Sequence, residues 1–206
     1  MSGTLFIISA PSGAGKTSLI EALINSVDNI LVSVSYTTRP MRNGEIEGED
    51  YHFVTKEAFL KMVREAVFLE HAEVFDNAYG TSELWVRDKL KNNQDVILEI
   101  DWQGAQQVRK ALSRDIDLTS IFILPPSKKI LQDRLQKRAQ DDSEVIKKRM
   151  AQATNDMSHY IEYDYVVIND NFDQALKDLQ SIVYASRLKQ NKQSQDKVLL
   201  LKDLLN

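Results

Sequence analysis

The stretch SAPSGAGKTS, residues 9–18, decides how the chain is read. It follows an apolar run, TLFIISA (residues 4–10), and leads into a helix-like segment that starts at Lys16. A loop that binds phosphate through its backbone has four requirements. It follows a buried strand, its residues are small so that N–H groups converge, it carries a lysine, and it carries a Ser or Thr for Mg²⁺. APSGAGKT supplies Gly13, Gly15, Lys16 and Thr17 in that context. The helix that follows adds partial positive charge at its N-terminus. The usual spacing has a glycine where Ala10 stands. Pro11 biases Ala10 toward extended backbone, where a methyl group is tolerated. Residues Ala10, Pro11, Ser12, Gly13, Ala14, Gly15, Lys16 and Thr17 are therefore the expected nucleotide-phosphate contacts. A glycine-rich turn with a chance Gly-Lys-Thr is the competing reading, and the strand-to-helix context weighs against it. The loop alone does not separate a GTPase, an ATPase motor and a small kinase.

Composition narrows the classes. A chain of 206 residues suits one domain, or one domain carrying a subdomain, and 43% hydrophobic residues allow a sizeable core. The formal net charge of −4 argues against a general nucleic-acid binder. Anionic small molecules would need locally gathered Arg and Lys. No apolar run is long enough to span a membrane. The N-terminus has no basic patch before an apolar segment, so no signal peptide is expected. The absence of cysteine excludes disulfides and thiolate metal sites and accords with a reducing cytoplasm.

Beside residues 4–10, three more short apolar runs read as buried parallel strands: DVILEID (95–101), LTSIFIL (118–124) and YDYVVIN (163–169). ILVSVSYTT (30–38) is a weaker fifth. Helices are expected at 16–27, 104–112 and 172–189, and after Ser127 as a cap. Ile146, Met150, Ala153 and Met157 form one apolar helical stripe. Strands alternating with helices predict a doubly wound α/β sheet. Residues 36–85 break the alternation and are too long for a plain loop, so a subdomain is inserted there. It contains a strand at DYHFVT and a helix at KEAFLKMVREAV. Residues 190–206 read as a frayed helix and a short amphipathic end.

The insert carries Arg39, Arg42, Tyr51 and Tyr79, whose guanidinium forks and hydroxyls suit a phosphate monoester. Glu70 is out of character there, because a carboxylate repels phosphate. It suits guanine, which presents adjacent N1–H and N2–H₂ donors. Taken singly, the tyrosines read equally well as packing residues and Arg42 as a surface charge. Glu70 and Glu73 read equally as one wet helix face. Their order behind a phosphate loop favours a shared site. Arg134 and Arg138, four apart, would repel mildly unless an anion lies between them. His52, His71 and His159 have no metal-ligand spacing and read as structural or surface residues.

These motifs together resemble the bacterial guanylate kinase family. APSGAGKT, SVSYTTRPMRNGE, FLEHAEVF with YGTS, IDWQGAQQ, IFILPPS and MSHYIEYDYVVINDNFDQA occur in the family's order over about residues 4–190. The resemblance implies an α/β fold: a P-loop NTPase-type parallel sheet flanked by helices, with an inserted mixed α/β GMP-binding subdomain and a helical lid. The implied core is 1–35 and 86–190, the GMP-binding subdomain about 36–85, the lid about 134–149 and the tail 190–206. Ser35, Glu70 and Thr81 are the implied guanine contacts, and Arg39, Arg42, Tyr51 and Tyr79 the GMP phosphate grip. Asp101 would contact guanine or the water shell of Mg²⁺. Glu99 stands where the family often has Asp. Arg134, Arg138 and Arg149 would close over the ATP phosphates, with Arg134 also flanking adenine and Asn169 near its edge. Ala139 replaces a common glycine.

The implied activity is transfer of the γ-phosphoryl group of ATP to GMP, and to dGMP, with Mg²⁺ held by Thr17 and Asp101 as a further candidate. Lys16, Arg39, Arg134, Arg138 and Arg149 are the implied catalytic residues. The expected setting is cytoplasmic purine metabolism, with small-molecule substrates, neither nucleic acid nor membrane as partner, and homo-oligomerisation left open. A monophosphate kinase of other base preference and a catalytically silent protein-binding module remain as alternatives.

Overall fold

The computed structural model describes residues 3–74, 76–112, 116–138 and 143–205, with side chains except at 137–138 and 143–147. The chain opens with β1 (Leu5–Ser9), α1 (Lys16–Ser26), β2 (Ile30–Val32), β3 (Tyr36–Thr37), β4 (His52–Phe53) and α2 (Lys56–Arg64). It continues with β5 (Phe68–Val74), β6 (Asn77–Ser82), α3 (Glu83–Lys91), β7 (Asp95–Glu99), α4 (Trp102–Ala111) and β8 (Leu118–Leu124). It closes with α5 (Lys128–Arg138), α6 (Ser143–Ser158), a 3₁₀ turn at His159–Glu162, β9 (Tyr165–Ile168), α7 (Phe172–Arg187), α8 (Gln190–Asp196) and α9 (Val198–Leu205).

Five strands form a parallel sheet in the order β2-β7-β1-β8-β9. Alternation along β1 explains why both of its faces are apolar. Phe6 and Ile8 pack with Leu19, Leu23, Leu179 and Val183 of α1 and α7. Leu5 and Ile7 pack on the other face with Val86, Leu90, Ala105 and Val108 of α3 and α4. Successive side chains of a strand point to opposite faces, and here helices cover both. The strand expected at YDYVVIN departs from this pattern. β9 is an edge strand with Tyr165, Val166 and Ile168 exposed and only Val167 buried. An edge strand has a neighbour on one side only, so apolar composition does not ensure burial.

The run ILVSVSYTT is divided. β2 joins the parallel sheet, whereas β3 belongs to a second sheet of order β4-β3-β6-β5. Polar Ser33 and Ser35 lie where the chain passes between the sheets. FLEHAEV, the segment of Glu70 and Glu73, is strand β5 paired antiparallel with β6, rather than a helix face. A register shift between Phe68 and Glu70 breaks the period-2 signal that would have marked it. Leu131 and Leu135 of α5 bury against Ala153, Met150 and Met157 of α6. Ile146, the first residue of the expected stripe, lies outside the described side chains.

The tail is held more firmly than its polar sequence suggests. Lys192 of α8 is buried, with Nζ donating to Thr4 Oγ1 at 2.5 Å and to Asp95 Oδ1 at 3.2 Å. Arg187 Nε donates to Asp95 Oδ2 at 2.8 Å, and the Thr4 N–H donates to Oδ1 at 2.7 Å. A buried carboxylate survives because these donors surround it.

Candidate active site

In open α/β sheets, ligands bind at the carboxyl ends of strands where the connections diverge. Here β1 leads through α1 to β2 on one side, and β7 leads through α4 to β8 on the other. The crevice between β1 and β7 contains the loop 10–17 and the acids Glu99 and Asp101. Gly13 and Gly15 have φ of 87° and 94°, a region that L side chains rarely adopt. A side chain at Gly15 would also meet Asn169 Nδ2 at 2.4 Å, and one at Gly13 would press on Leu131 and Leu135. The loop is therefore fitted to the elements around it as well as to a ligand.

Asn169 and Arg134 grip the loop. Asn169 Nδ2 donates to the Ala14 carbonyl at 2.8 Å, and Arg134 NH1 donates to the same oxygen at 3.2 Å. Arg134 NH2 reaches the Asn169 carbonyl at 3.1 Å. Asn169 is buried, so the residue implied near an adenine edge also serves as a strut beneath the loop. Arg149 lines a pocket of about 230 Å³ with the loop, Asp101, Gln103 and Asp156. The Arg138 side chain and all of Ala139 lie outside the described residues.

Glu99 is the acid that meets the loop. Thr17 Oγ1 donates to Glu99 Oε1 at 2.8 Å, and Lys16 Nζ stands 3.7 Å from the same oxygen. Asp101 instead caps α4: Oδ1 accepts from the Gly104 N–H at 2.9 Å and Oδ2 from Gln103 at 3.2 Å. The sequence placed Asp101 among the site residues and left Glu99 aside. The available signal was its place at the C-terminal end of β7, next to β1.

A larger cleft of about 690 Å³ joins Lys16, Thr17 and Glu99 to Ser35, Arg39, Arg42, Tyr51 and Tyr79. Arg39 is clamped by Glu45, with NH1 to Oε2 at 3.1 Å and NH2 to Oε1 at 2.6 Å. This bidentate pair raises the Arg39 pKa. The Arg42 N–H donates to Glu45 Oε2 at 2.7 Å. Arg39 also lies 5.2 Å from the Tyr51 ring centroid, and Tyr51 meets Tyr79 edge-on at 5.9 Å. Burial pushes the Tyr51 phenol up, and Tyr79 adds to this. Glu45 was not expected. It sits three residues beyond Arg42, close enough to preset both arginines.

Glu70 is 4% exposed and accepts from Thr81 Oγ1 at 2.6 Å. Burial pushes its carboxyl up to about 7, Asp101 adds to the rise, and the Thr81 hydrogen bond opposes it. The structure thus brings Glu70, Thr81 and Asp101 together, at the N-terminal end of α4. Gly104 leaves the room, since a Cβ there would lie 2.7 Å from Glu70 Oε2.

A parallel sheet with a glycine-rich Lys-Thr loop at its switch point, facing an Arg- and Tyr-lined cleft, defines a P-loop phosphotransferase of the nucleoside monophosphate kinase kind. The guanylate kinase family profile matches residues 2–186. The chain is 56% identical over 204 residues to a guanylate kinase of Saccharophagus degradans, covering 99% of this chain and 98% of that protein. It is 54% identical to that of Vibrio cholerae, covering 98% of each. The crystal structure of guanylate kinase from Anaplasma phagocytophilum superposes with a TM-score of 0.76 at 33% identity, covering 92% of this chain and 88% of that one. The chain belongs to the guanylate kinase family. No described helix is long and apolar enough to cross a membrane.

Proposed function

We propose that this chain is an ATP:GMP phosphotransferase that forms ADP and GDP, acting in cytoplasmic purine metabolism. One observation carries the reading. The cleft that contains Arg39, Arg42, Tyr51 and Tyr79 also contains Lys16 and Thr17. A donor-phosphate grip and an acceptor-phosphate grip thus open into one space, as in-line transfer between two nucleotides requires.

In this reading Lys16 and the N–H groups of residues 10–17 hold the donor phosphates. Arg39, Arg42, Tyr51 and Tyr79 hold the GMP phosphate, while Ser35, Glu70, Thr81 and Asp101 read or position the base. Arg134, Arg138 and Arg149 offset charge on the transferring phosphoryl group, with Arg134 and Asn169 on the adenine side. Residues 36–85 form the GMP-binding subdomain and 134–149 the lid, on a core of 1–35 and 86–190. No protein nucleophile is required.

Among the described residues, no group of three or more His, Asp or Glu is arranged to hold a metal alone. The hard oxygens of Thr17 and Glu99 nonetheless fit Mg²⁺ that arrives with the nucleotide and keeps several waters. When bound, Mg²⁺ would neutralise charge on the β- and γ-phosphates. Thr17 would turn its hydroxyl oxygen to it, and Glu99 would orient its water shell.

The test is ADP release with ATP and each nucleoside monophosphate in turn. GMP should be strongly preferred. Lys16→Ala should reduce turnover on the order of 10²-fold or more, as the loss of a preorganised electrostatic stabiliser does. Comparable efficiency with AMP, CMP or UMP would overturn the base assignment.

A further inference from the structure

Two aromatic residues of the recognised motifs take no part in these phosphate or base contacts. Trp102 follows Asp101 at the start of α4, and His159 follows the last residue of α6. The structure stacks them, with ring centroids 3.7 Å apart and planes 6° from parallel. His159 Nδ1 lies 2.6 Å from Glu162 Oε1, and Gln106 of α4 donates to Glu162 Oε2 at 3.0 Å. The imidazole is thereby held against α4 through a second route. One turn earlier on α6, burial pushes the Asp156 carboxyl up, and a hydrogen bond from the Trp102 indole opposes the rise. Asp156 and Arg149 both line the pocket over the phosphate loop. On the far side of α4, Gln107 exchanges two hydrogen bonds with the His71 backbone, at 3.1 and 2.7 Å. Helix α4 therefore spans from the strand of Glu70 to the root of the helix that carries Arg149.

Resting on the function proposed above, we propose that Trp102 is a positioning residue: its stack on His159 pins the root of α6 to α4 and sets where Arg149 stands over the phosphate loop. Leverage makes the contact matter. Arg149 is ten residues before His159, about 15 Å along the helix at 1.5 Å per residue. At that radius a tilt of roughly 4° at the root moves Arg149 by about 1 Å, and a shift of that size can cost on the order of 10²-fold in rate. Two flat rings in face contact resist such a tilt, because it would prise the faces apart.

The test uses the full chain. Wild-type, GMP-dependent ADP formation checks the function itself, separately from this inference. His159→Leu and Trp102→Leu should each lower kcat about tenfold, short of the ~10²-fold that a 1 Å misplacement can cost, with the KM for GMP within about twofold. The double variant should lose no more than either single one, since both remove one contact. Trp102→Phe keeps the face contact and should stay within about threefold of wild type, a loss well below that of leucine. The chain has two tryptophans, so in a Trp85→Phe background Trp102 emits alone. Its emission should rise in His159→Leu, which removes a quenching imidazole, and stay constant when GMP and a non-hydrolysable ATP analogue bind. Wild-type kcat in His159→Leu, additive losses in the double variant, equal losses in Phe and Leu at 102, or a ligand-dependent change in Trp102 emission would each overturn the proposal. If Trp102→Leu does not fold, His159→Leu with the emission measurement still decides it.

Discussion

In the proposed function, Glu70 is the residue at which substrate choice and electrostatics meet. Its carboxyl is held up to about 7 by burial, yet a carboxylate is the form that accepts from guanine N1–H and N2–H₂. GMP binding should therefore draw the ionised form and release a proton when the free site is protonated. As pH falls through about 7, kcat/KM for GMP should fall with it. The phosphate of GMP also titrates near 6, so the control is Glu70→Gln, which keeps the phosphate limb and loses the other. At pH 8 the same substitution should lower GMP efficiency about 30- to 1000-fold. One acceptor becomes a donor facing a donor, at roughly 2–4 kcal/mol. Equal efficiency of the two proteins would show that Glu70 does not read the base. Stability runs the other way. The folded protein holds a proton on Glu70 that the unfolded chain loses above its model value of 4.5. Stability should fall as pH rises between 4.5 and about 7, by at most about 3–4 kcal/mol. Thermal melts from pH 4.5 to 8 should show this decline in wild type and not in Glu70→Gln. Glu70 could be singled out in the sequence by its chemistry, because a carboxylate among Arg and Tyr residues suited to phosphate suggests a different partner. It could not reveal Glu45 or Glu99, whose roles depend on distances to residues far along the chain or around a turn.

At the scale of elements, legibility followed burial. β1 and β8, covered on both faces, could be read as apolar runs. β5 could not, because its burial follows a bulge and a buried carboxylate rather than a simple alternation. Helix α4 was expected from 104, and the structure starts it two residues earlier at Trp102, with Asp101 as its cap. The early start brings Gly104 against Glu70. Gly104→Ala should therefore disturb base recognition although alanine favours helix. A Cβ at 2.7 Å from Oε2 must displace the carboxylate. The expected result is a KM for GMP raised about tenfold, equivalent to about 1.4 kcal/mol, with ATP-analogue binding unchanged. Titration of both ligands checks it, and an unchanged KM would mean that Glu70 moves aside freely. At the other end of the sheet, Asp95 joins Thr4, Arg187 and Lys192. Asp95→Asn leaves the buried Lys192 underpaired and should cost about 3–5 kcal/mol, or roughly 6–20 °C in Tm for a chain of this size. Activity of the folded fraction at low temperature should remain near wild type, because this cluster lies far from the phosphate loop.

For the molecule as a whole, the phosphate loop lies between two groups of contacts. The second sheet and its β3–β4 connection present Arg39, Arg42, Tyr51 and Tyr79 from one side, and α5 and α6 present Arg134 and Arg149 from the other. The chain order of these parts was legible, since each motif announces its own chemistry. Their mutual placement was not, because it rests on contacts such as Leu135 over Gly13 and Trp102 on His159. The arrangement separates donor-side from acceptor-side effects. Arg149 shares its pocket with the loop and with none of Arg39, Arg42, Tyr51 and Tyr79. Arg149→Ala should therefore lower kcat on the order of 10²-fold, the scale of losing one preorganised charge, while the KM for GMP stays within about twofold. Arg149→Lys keeps the charge and loses the planar fork, so it should recover only part of the rate. Steady-state kinetics with each substrate varied in turn provides the check. A sharp rise in the KM for GMP at unchanged kcat would move Arg149 to the acceptor site. It would also mean that α6 closes over GMP rather than over the transferring phosphate, since uniform binding raises KM without touching the chemical step.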